Sequence, residues 1–302
     1  MSSEEVVVFP GETAQLVGSL HTPETAKTTC GVLLAVGGPQ TRTGSHRQFV
    51  LLARYLADNG VPVFRFDYTG MGDSEGEKTE FLQACPDLAK AIDVFLSKEG
   101  VDSVCFWGLC DAVSLGLMYL SVTRDQRIHR FIAANPWVRQ THTEAQAYLK
   151  SYYIQRLLNK ELWLKIMKLQ FDFAGSFSSL LASVKKALIR PSANKPAVNG
   201  KSDKISDDGM TTVWPEFNEN NYVNAMLAGV NLLGNNFHLV LSGNDLTADE
   251  FKILLKSDRL WAEAIKEKEG DWFVIDDATH TFSSREWRDA LARRTLDLCL
   301  PG

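Results

Sequence analysis

The residues Gly108-Leu109-Cys110-Asp111-Ala112 set a cysteine between two small residues, where an apolar run meets a helical pattern. This is the G-x-S-x-G nucleophile elbow with Cys for Ser and Ala for the last Gly. The turn from strand to helix is sharp, so Gly108 and Ala112 must be small for the two elements to pack around the nucleophile. A thiol at a helix start meets the positive end of the helix dipole, which favours the thiolate, the nucleophilic form. Cys105, inside the strand, reads instead as a small buried hydrophobe.

A thiol nucleophile needs a base, and the base needs a group to orient it. Behind a nucleophile elbow of this type the chain order is nucleophile, carboxylate, histidine. Asp245, in Leu241-Ser242-Gly243-Asn244-Asp245, and His280, which follows Phe273-Val274-Ile275, stand in that order. Each lies just beyond a strand-like run. Asp245 also holds the position of a helix N-cap, with Asp249 as the rival acid. An oxyanion would be met by the backbone N–H of Asp111 and by a second donor in Val36-Gly37-Gly38-Pro39-Gln40. Pro39 has no N–H, which leaves Gly38 as that donor and Gln40 as its substitute. The other histidines, His21, His46, His129, His142 and His238, lack metal-ligand spacing, and no metal or cofactor is expected. Gly70-Met71-Gly72-Asp73-Ser74-Glu75-Gly76 imitates a dinucleotide fingerprint. Its third glycine is one residue late, and Asp73 and Glu75 would repel a pyrophosphate.

The elements that must position these groups alternate along the chain. After two short β-like stretches, Val6 to Phe9 and Gln15 to His21, come strands at Gly31 to Val36, Val61 to Asp67, Val101 to Trp107 and Arg130 to Asn135. Helical patterns at Ser45 to Asn59, Phe81 to Lys98 and Asp111 to Val122 separate them. The rhythm stops near Trp137 and resumes with strand Phe237 to Ser242, helix Ala248 to Lys268, strand Asp271 to Ile275 and helix Ser283 to Leu298. Buried strands alternating with amphipathic helices predict an α/β fold with a mostly parallel, doubly wound sheet. The core is expected from 1–138 and 233–302. The interval 139–232 reads as an inserted helical lid, with Tyr148, Tyr152, Leu157, Leu162 and Ile166 at helical spacing and a loop over 191–210.

Composition narrows the function classes. The chain has 302 residues, 45% hydrophobic and 23% charged, and a net charge of −5, which disfavours nucleic acid as a partner. No apolar run reaches the roughly 20 residues of a membrane helix. The five cysteines are spread without a C-x-x-C pair, and the start, Met-Ser-Ser-Glu4-Glu5, lacks a signal-peptide pattern; both suit the cytoplasm. From Arg139 to Leu232 there are 12 Lys and Arg against 8 Asp and Glu, a surplus of four, leaving 20 against 29 elsewhere. A basic insertion thus sits on an acidic body. That suits solvated helix faces or a surface for an anionic substrate or acidic partner.

The chain resembles the α/β-hydrolases, and within them the exosortase A system-associated hydrolase 1 family. The resemblance rests on Val36 to Gln40 with Gly44-Ser45-His46-Arg47-Gln48-Phe49, on Phe66 to Gly76, on Trp107 to Ala112, on Asn135-Pro136-Trp137-Val138, and on Leu241 to Thr247. It implies an α/β-hydrolase fold with a lid and a triad of Cys110, Asp245 and His280. The implied activity is acyl hydrolysis of an ester or thioester through a cysteine acyl-enzyme. Two alternatives stay open. One is acyl transfer from an acyl carrier protein or coenzyme A thioester to an amine, alcohol or thiol; the other is a hydrolase-fold binding protein without catalysis. A homodimer is compatible with the sequence.

Overall fold

The computed structural model describes residues 2–139, 212–266 and 272–300. Eight strands form one sheet in the order β1-β2-β4-β3-β5-β6-β7-β8. They are β1 (Ser3–Pro10), β2 (Gln15–Thr22), β3 (Cys30–Ala35), β4 (Val63–Phe66), β5 (Ser103–Leu109), β6 (Ile128–Ala134), β7 (Phe237–Ser242) and β8 (Phe273–Ile275). β1 and β2 form an antiparallel hairpin, and β2 joins β4 antiparallel. Every pairing from β4 to β8 is parallel. The expected mostly parallel α/β sheet is therefore present.

The central strands β4 and β5 are buried along their whole length, which is why their sequences do not alternate between apolar and polar, the charged residue among them being the buried Arg65. Aromatic side chains tie neighbouring strands together: Phe106 stacks on Phe131 at 4.5 Å, and Phe131 on Phe237 at 5.9 Å. Helices α1 (Gln48–Asp58), α2 (Cys85–Leu96) and α3 (Asp111–Thr123) connect the first parallel strands. Pro86 stands in the first turn of α2, where its missing N–H costs nothing.

Two helical readings are revised. The pattern from Ala248 to Lys268 is not one helix but two, α5 (Leu246–Ser257) and α6 (Arg259–Lys266). Asp258 breaks it, because its Oδ1 accepts from the N–H groups of Leu260 at 2.8 Å and Trp261 at 3.2 Å and so caps a new helix. At the end of the interval 139–232, helix α4 (Tyr222–Leu233) packs on α3, burying Tyr222, Val223, Met226 and Val230. A side chain at Gly229 would collide with the Leu117 carbonyl, so the two helices touch backbone to backbone there. Residues Met1–Arg139 and Trp214–Gly302 form one compact unit, so the stretch from Trp214 belongs with the core rather than with the insertion. It supplies the crossover from β6 to β7. The helical reading around Tyr148 to Ile166 and the loop over 191–210 fall outside the described residues. The last helix, α7 (Arg285–Cys299), is capped by Ser284, whose Oγ accepts from Trp287 N. Among the described residues no helix is long and apolar enough to cross a membrane.

Candidate active site

β5 delivers the chain to Cys110 at the carboxyl edge of the sheet, and α3 starts at the next residue. Cys110 has φ 64° and ψ −127°, a conformation that costs a residue with a side chain roughly 1–3 kcal/mol. Three backbone bonds hold it. Cys110 N donates to Ala134 O at 3.0 Å, while Cys110 O accepts from Val113 N at 3.1 Å and Trp137 N at 3.3 Å. A Cβ on Gly108 would come within 3.0 Å of Val113 N, which explains the small residue before the turn. The side chain of Cys110 is half-buried and in no disulfide; Cys85, Cys105 and Cys299 are free and buried.

Asp245 and His280 meet across the carboxyl ends of β7 and β8. Asp245 Oδ2 lies 2.9 Å from His280 Nδ1. The same carboxylate accepts from Thr247 N at 3.3 Å and Ala248 N at 3.2 Å, capping α5. One side chain thus both caps α5 and contacts His280. The rival Asp249 instead pairs with Lys252 at 3.5 Å along α5. With Nδ1 engaged by the carboxylate, His280 has Nε2 left for a proton transfer.

A support that sequence reasoning missed lies beneath His280. Asn135, fully buried and with φ 45°, donates from Nδ2 to His280 O at 3.1 Å and to Ser242 Oγ at 2.9 Å. Its Oδ1 accepts from Ser242 N at 2.8 Å, and Ser242 Oγ donates to Thr279 O at 3.0 Å. Asn135 followed by proline at the end of a strand was the available signal.

The loop after β3 carries the expected oxyanion donors, and their N–H groups are engaged. Gly38 N, at φ 61°, donates to Asp111 Oδ1 at 2.6 Å. The N–H groups of Asp111 itself and of Ala112 lie close enough to favour its charged form. Gln40 turns away: its Oε1 accepts from Ser45 N at 2.9 Å, and its own N–H reaches Gly37 O at 3.4 Å. The loop is anchored through Arg42, whose N donates to Asp67 Oδ1 at 2.6 Å and whose guanidinium bridges Asp67 and Asp73. The glycine turn 70–76 thus closes on buried Asp67.

The electrostatics differ from the thiolate expected at a helix start. Desolvation pushes the Cys110 thiol far above the usual cysteine range; the Asp111 and Asp245 charges push the same way, and the Asp111 N–H and Arg139 only partly oppose them. Burial, reinforced by the two nearby carboxylates, thus favours the thiol over the thiolate. Desolvation also raises Asp111 to about 6, against the three N–H donors and the His280 charge. Beside Asp111 lies a cavity of about 180 Å³ lined by Val36, Gly38, Tyr68, Phe81 and Leu115. Among the described residues no cluster of three His, Cys, Asp or Glu could hold a metal ion.

A family profile described as alpha/beta hydrolase fold matches residues 32–283. The protein ABHD12B of Homo sapiens is 35% identical over 72 residues, 24% of this chain and 19% of that protein, so the match spans only about a fifth of that relative. Among solved structures, the esterase Pf2001 of Pyrococcus furiosus superposes with a TM-score of 0.59 at 14% identity, over 98% of this chain and 90% of that one. The alpha/beta hydrolase GrgF of Penicillium sp. sh18 gives 0.57 at 15% identity, over 98% of each chain. Est1E of Butyrivibrio proteoclasticus, solved with ferulic acid bound, gives 0.54 at 12% identity, over 97% of this chain and 98% of that one. At these identities the likeness is one of fold.

Proposed function

Since this chain belongs to the alpha/beta hydrolase fold family, whose matched span contains Gly38, Cys110, Asp245 and His280, we propose that it is an acyl hydrolase of esters or thioesters working through Cys110. The observation that carries this reading is the 2.9 Å contact between Asp245 Oδ2 and His280 Nδ1, with the Asp245 charge acting on the Cys110 thiol. A carboxylate on Nδ1 fixes the tautomer in which Nε2 accepts a proton, the arrangement that general-base activation of a nucleophile requires.

The reaction then runs in two halves. Cys110 Sγ attacks the acyl carbon while its proton passes to His280 Nε2, and the carbonyl π pair moves onto oxygen. Collapse breaks the bond to the leaving alcohol or thiol, which takes the proton from His280. Water attacks the thioester with His280 again as base, and the carboxylic acid and the thiol of Cys110 are released. The test is incubation with a panel of acyl thioesters and intact-protein mass spectrometry. An acyl mass increment is expected on the wild type and absent from Cys110→Ala. Equal labelling of both overturns the nucleophile; no labelling and no turnover by either favours a binding protein.

Acyl transfer is the second reading, favoured by the thioester intermediate, which amines and thiols attack more readily than an oxygen ester. The surplus of four positive charges between Arg139 and Leu232 suits a coenzyme A or carrier-protein donor. Partition of the acyl-enzyme between water and an added amine, alcohol or thiol separates the two.

A further inference from the structure

We propose that the side chain of Asp111 is a built-in occupant of the oxyanion hole, which a substrate must displace toward Tyr68 before Cys110 can react. The inference rests on the acyl-transfer chemistry proposed above, and it concerns a group to which that chemistry gave only a backbone role.

The donors of the hole converge on this carboxylate. Gly38 N donates to Oδ1 at 2.6 Å, and the N–H groups of Asp111 and Ala112 at the start of α3 favour the charge on the same group. A carboxylate oxygen on the Gly38 N–H has the charge and takes the place of the tetrahedral oxyanion which that donor would stabilise. The fit is built into the loop. A Cβ on Gly37 would collide with Asp111 Oδ1 and with Leu109 O, so this position must be glycine for the carboxylate to rest where it does. On the other side of the loop a Cβ on Gly38 would meet nothing within 4 Å, which leaves room for an approaching acyl group.

The displaced carboxylate has a receiver. Tyr68, just past the end of β4, lines the same cavity as Gly38 and Asp111, and its buried hydroxyl makes no hydrogen bond. The Asp111 charge already acts on that hydroxyl. A buried donor left unpaired is costly, and a swing of Asp111 off the Gly38 N–H would pair it. The titratable groups around Asp111 are Cys110 on the same elbow, His280 after β8, Tyr68 after β4, and Lys78 and Glu80 across the cavity. Desolvation raises Asp111 to about 6, so the closed form is weakest on the acid side. A substrate must exceed the strength of a charge-assisted bond, which amounts to roughly 10- to 100-fold in kcat/KM. Weakly bound esters are held back most, and the gate thereby acts as a specificity device.

Three variants test this. With p-nitrophenyl acetate, Asp111→Ala should raise kcat/KM by roughly tenfold or more, through a lower KM as the hole opens. Asp111→Asn, which keeps the shape and loses the charge, should give a smaller rise. Tyr68→Phe should lower kcat/KM, because the receiver is gone. An unchanged or lower kcat/KM in both Asp111 variants overturns the proposal. A second readout is independent of turnover. The Gly38 amide proton should resonate far downfield in the NMR spectrum of the wild type and move upfield as the pH falls through about 6, and it should be insensitive to pH in Asp111→Asn. A Gly38 resonance that does not move in the wild type overturns the occupancy of the hole. If no variant turns over or becomes acylated, the acyl-hydrolase reading fails, and the Gly38 resonance still decides whether Asp111 fills the hole.

Discussion

Asn135 and His280, 145 residues apart in the chain, are joined by a hydrogen bond of 3.1 Å from the Asn135 side-chain amide to the His280 backbone carbonyl. The same amide holds Ser242 from both directions, so the ends of β6 and β7 and the loop after β8 are fixed to one buried side chain. Asn135→Ala would leave the His280 carbonyl and the Ser242 N–H without their partners. Each unsatisfied buried group costs about 1–3 kcal/mol. Loss of about 2–6 kcal/mol is expected in urea unfolding, together with a fall in the rate of Cys110 acylation larger than the fall in substrate binding. Acylation at the wild-type rate would show that His280 is held by Asp245 alone.

Asp67 does for the oxyanion loop what Asn135 does for His280. It is fully buried, accepts from Arg42 N at 2.6 Å and Asp73 N at 3.2 Å, and is paired with the Arg42 guanidinium. A Cβ on Gly72 would strike its carboxylate, so the glycine turn closes directly on it. Removing one partner of a buried pair costs about 3–5 kcal/mol. Asp67→Ala should therefore lower stability by about that amount in urea unfolding and increase hydrogen exchange across residues 37–44. Protection of that loop at the wild-type level would count against the anchor.

These anchors mark where sequence reasoning stopped. Cys110, Asp245 and His280 could be picked out as candidates because each follows an apolar strand-like run, where a parallel sheet presents its carboxyl ends. The bond from Gly38 to the Asp111 side chain could not, since it spans 73 residues and depends on how closely the β3 loop meets α3. The thiolate expectation misses for a related reason: a helix start is visible in sequence, whereas the burial that raises the thiol, and the Asp245 charge that adds to it, come from tertiary packing. The break at Asp258 was hidden by hydrophobic spacing that continues across it, although an aspartate after Ser257 is a cap signal. Helix α4 was read as part of an insertion because the described structure alone shows that it is the crossover into β7.

His21 should make the protein sensitive to acid. It is buried, and Arg65 Nε donates to its Nε2 at 2.9 Å, which requires the unprotonated ring. Desolvation and then the Arg65 charge pull its pKa down to about 4, with Glu4 opposing. Unfolded histidine titrates near 6.5. With a depressed folded pKa, the unfolded chain binds the proton first, so this contribution is whole above pH 6.5 and is lost as the pH falls toward 4. The loss is about 3 kcal/mol. Asp111, raised to about 6, acts in the opposite sense over the same range, so the wild-type curve alone conceals the effect. The comparison that isolates it is wild type against His21→Gln. Urea unfolding at pH 7, 5.5 and 4.5 should show the advantage of the wild type shrinking steadily, and a constant difference would refute the assignment.

Strain at the elbow predicts an inversion of the usual order of residues. Cys110 sits at φ 64°, ψ −127°, where a Cβ is disfavoured and glycine is not. At an ordinary position glycine is less stable than alanine by about 0.5–1 kcal/mol, because it loses more freedom on folding. Here relief of roughly 1–3 kcal/mol of strain outweighs that term. Cys110→Gly should therefore unfold at higher urea than Cys110→Ala, by about 1 kcal/mol, with neither variant acylated by an activated thioester. The pair of variants removes the thiol equally, so lost sulfur contacts cancel in the comparison. If alanine proves the more stable, the backbone at the elbow is relaxed, and its conformation is set without cost by the bonds to Ala134, Val113 and Trp137.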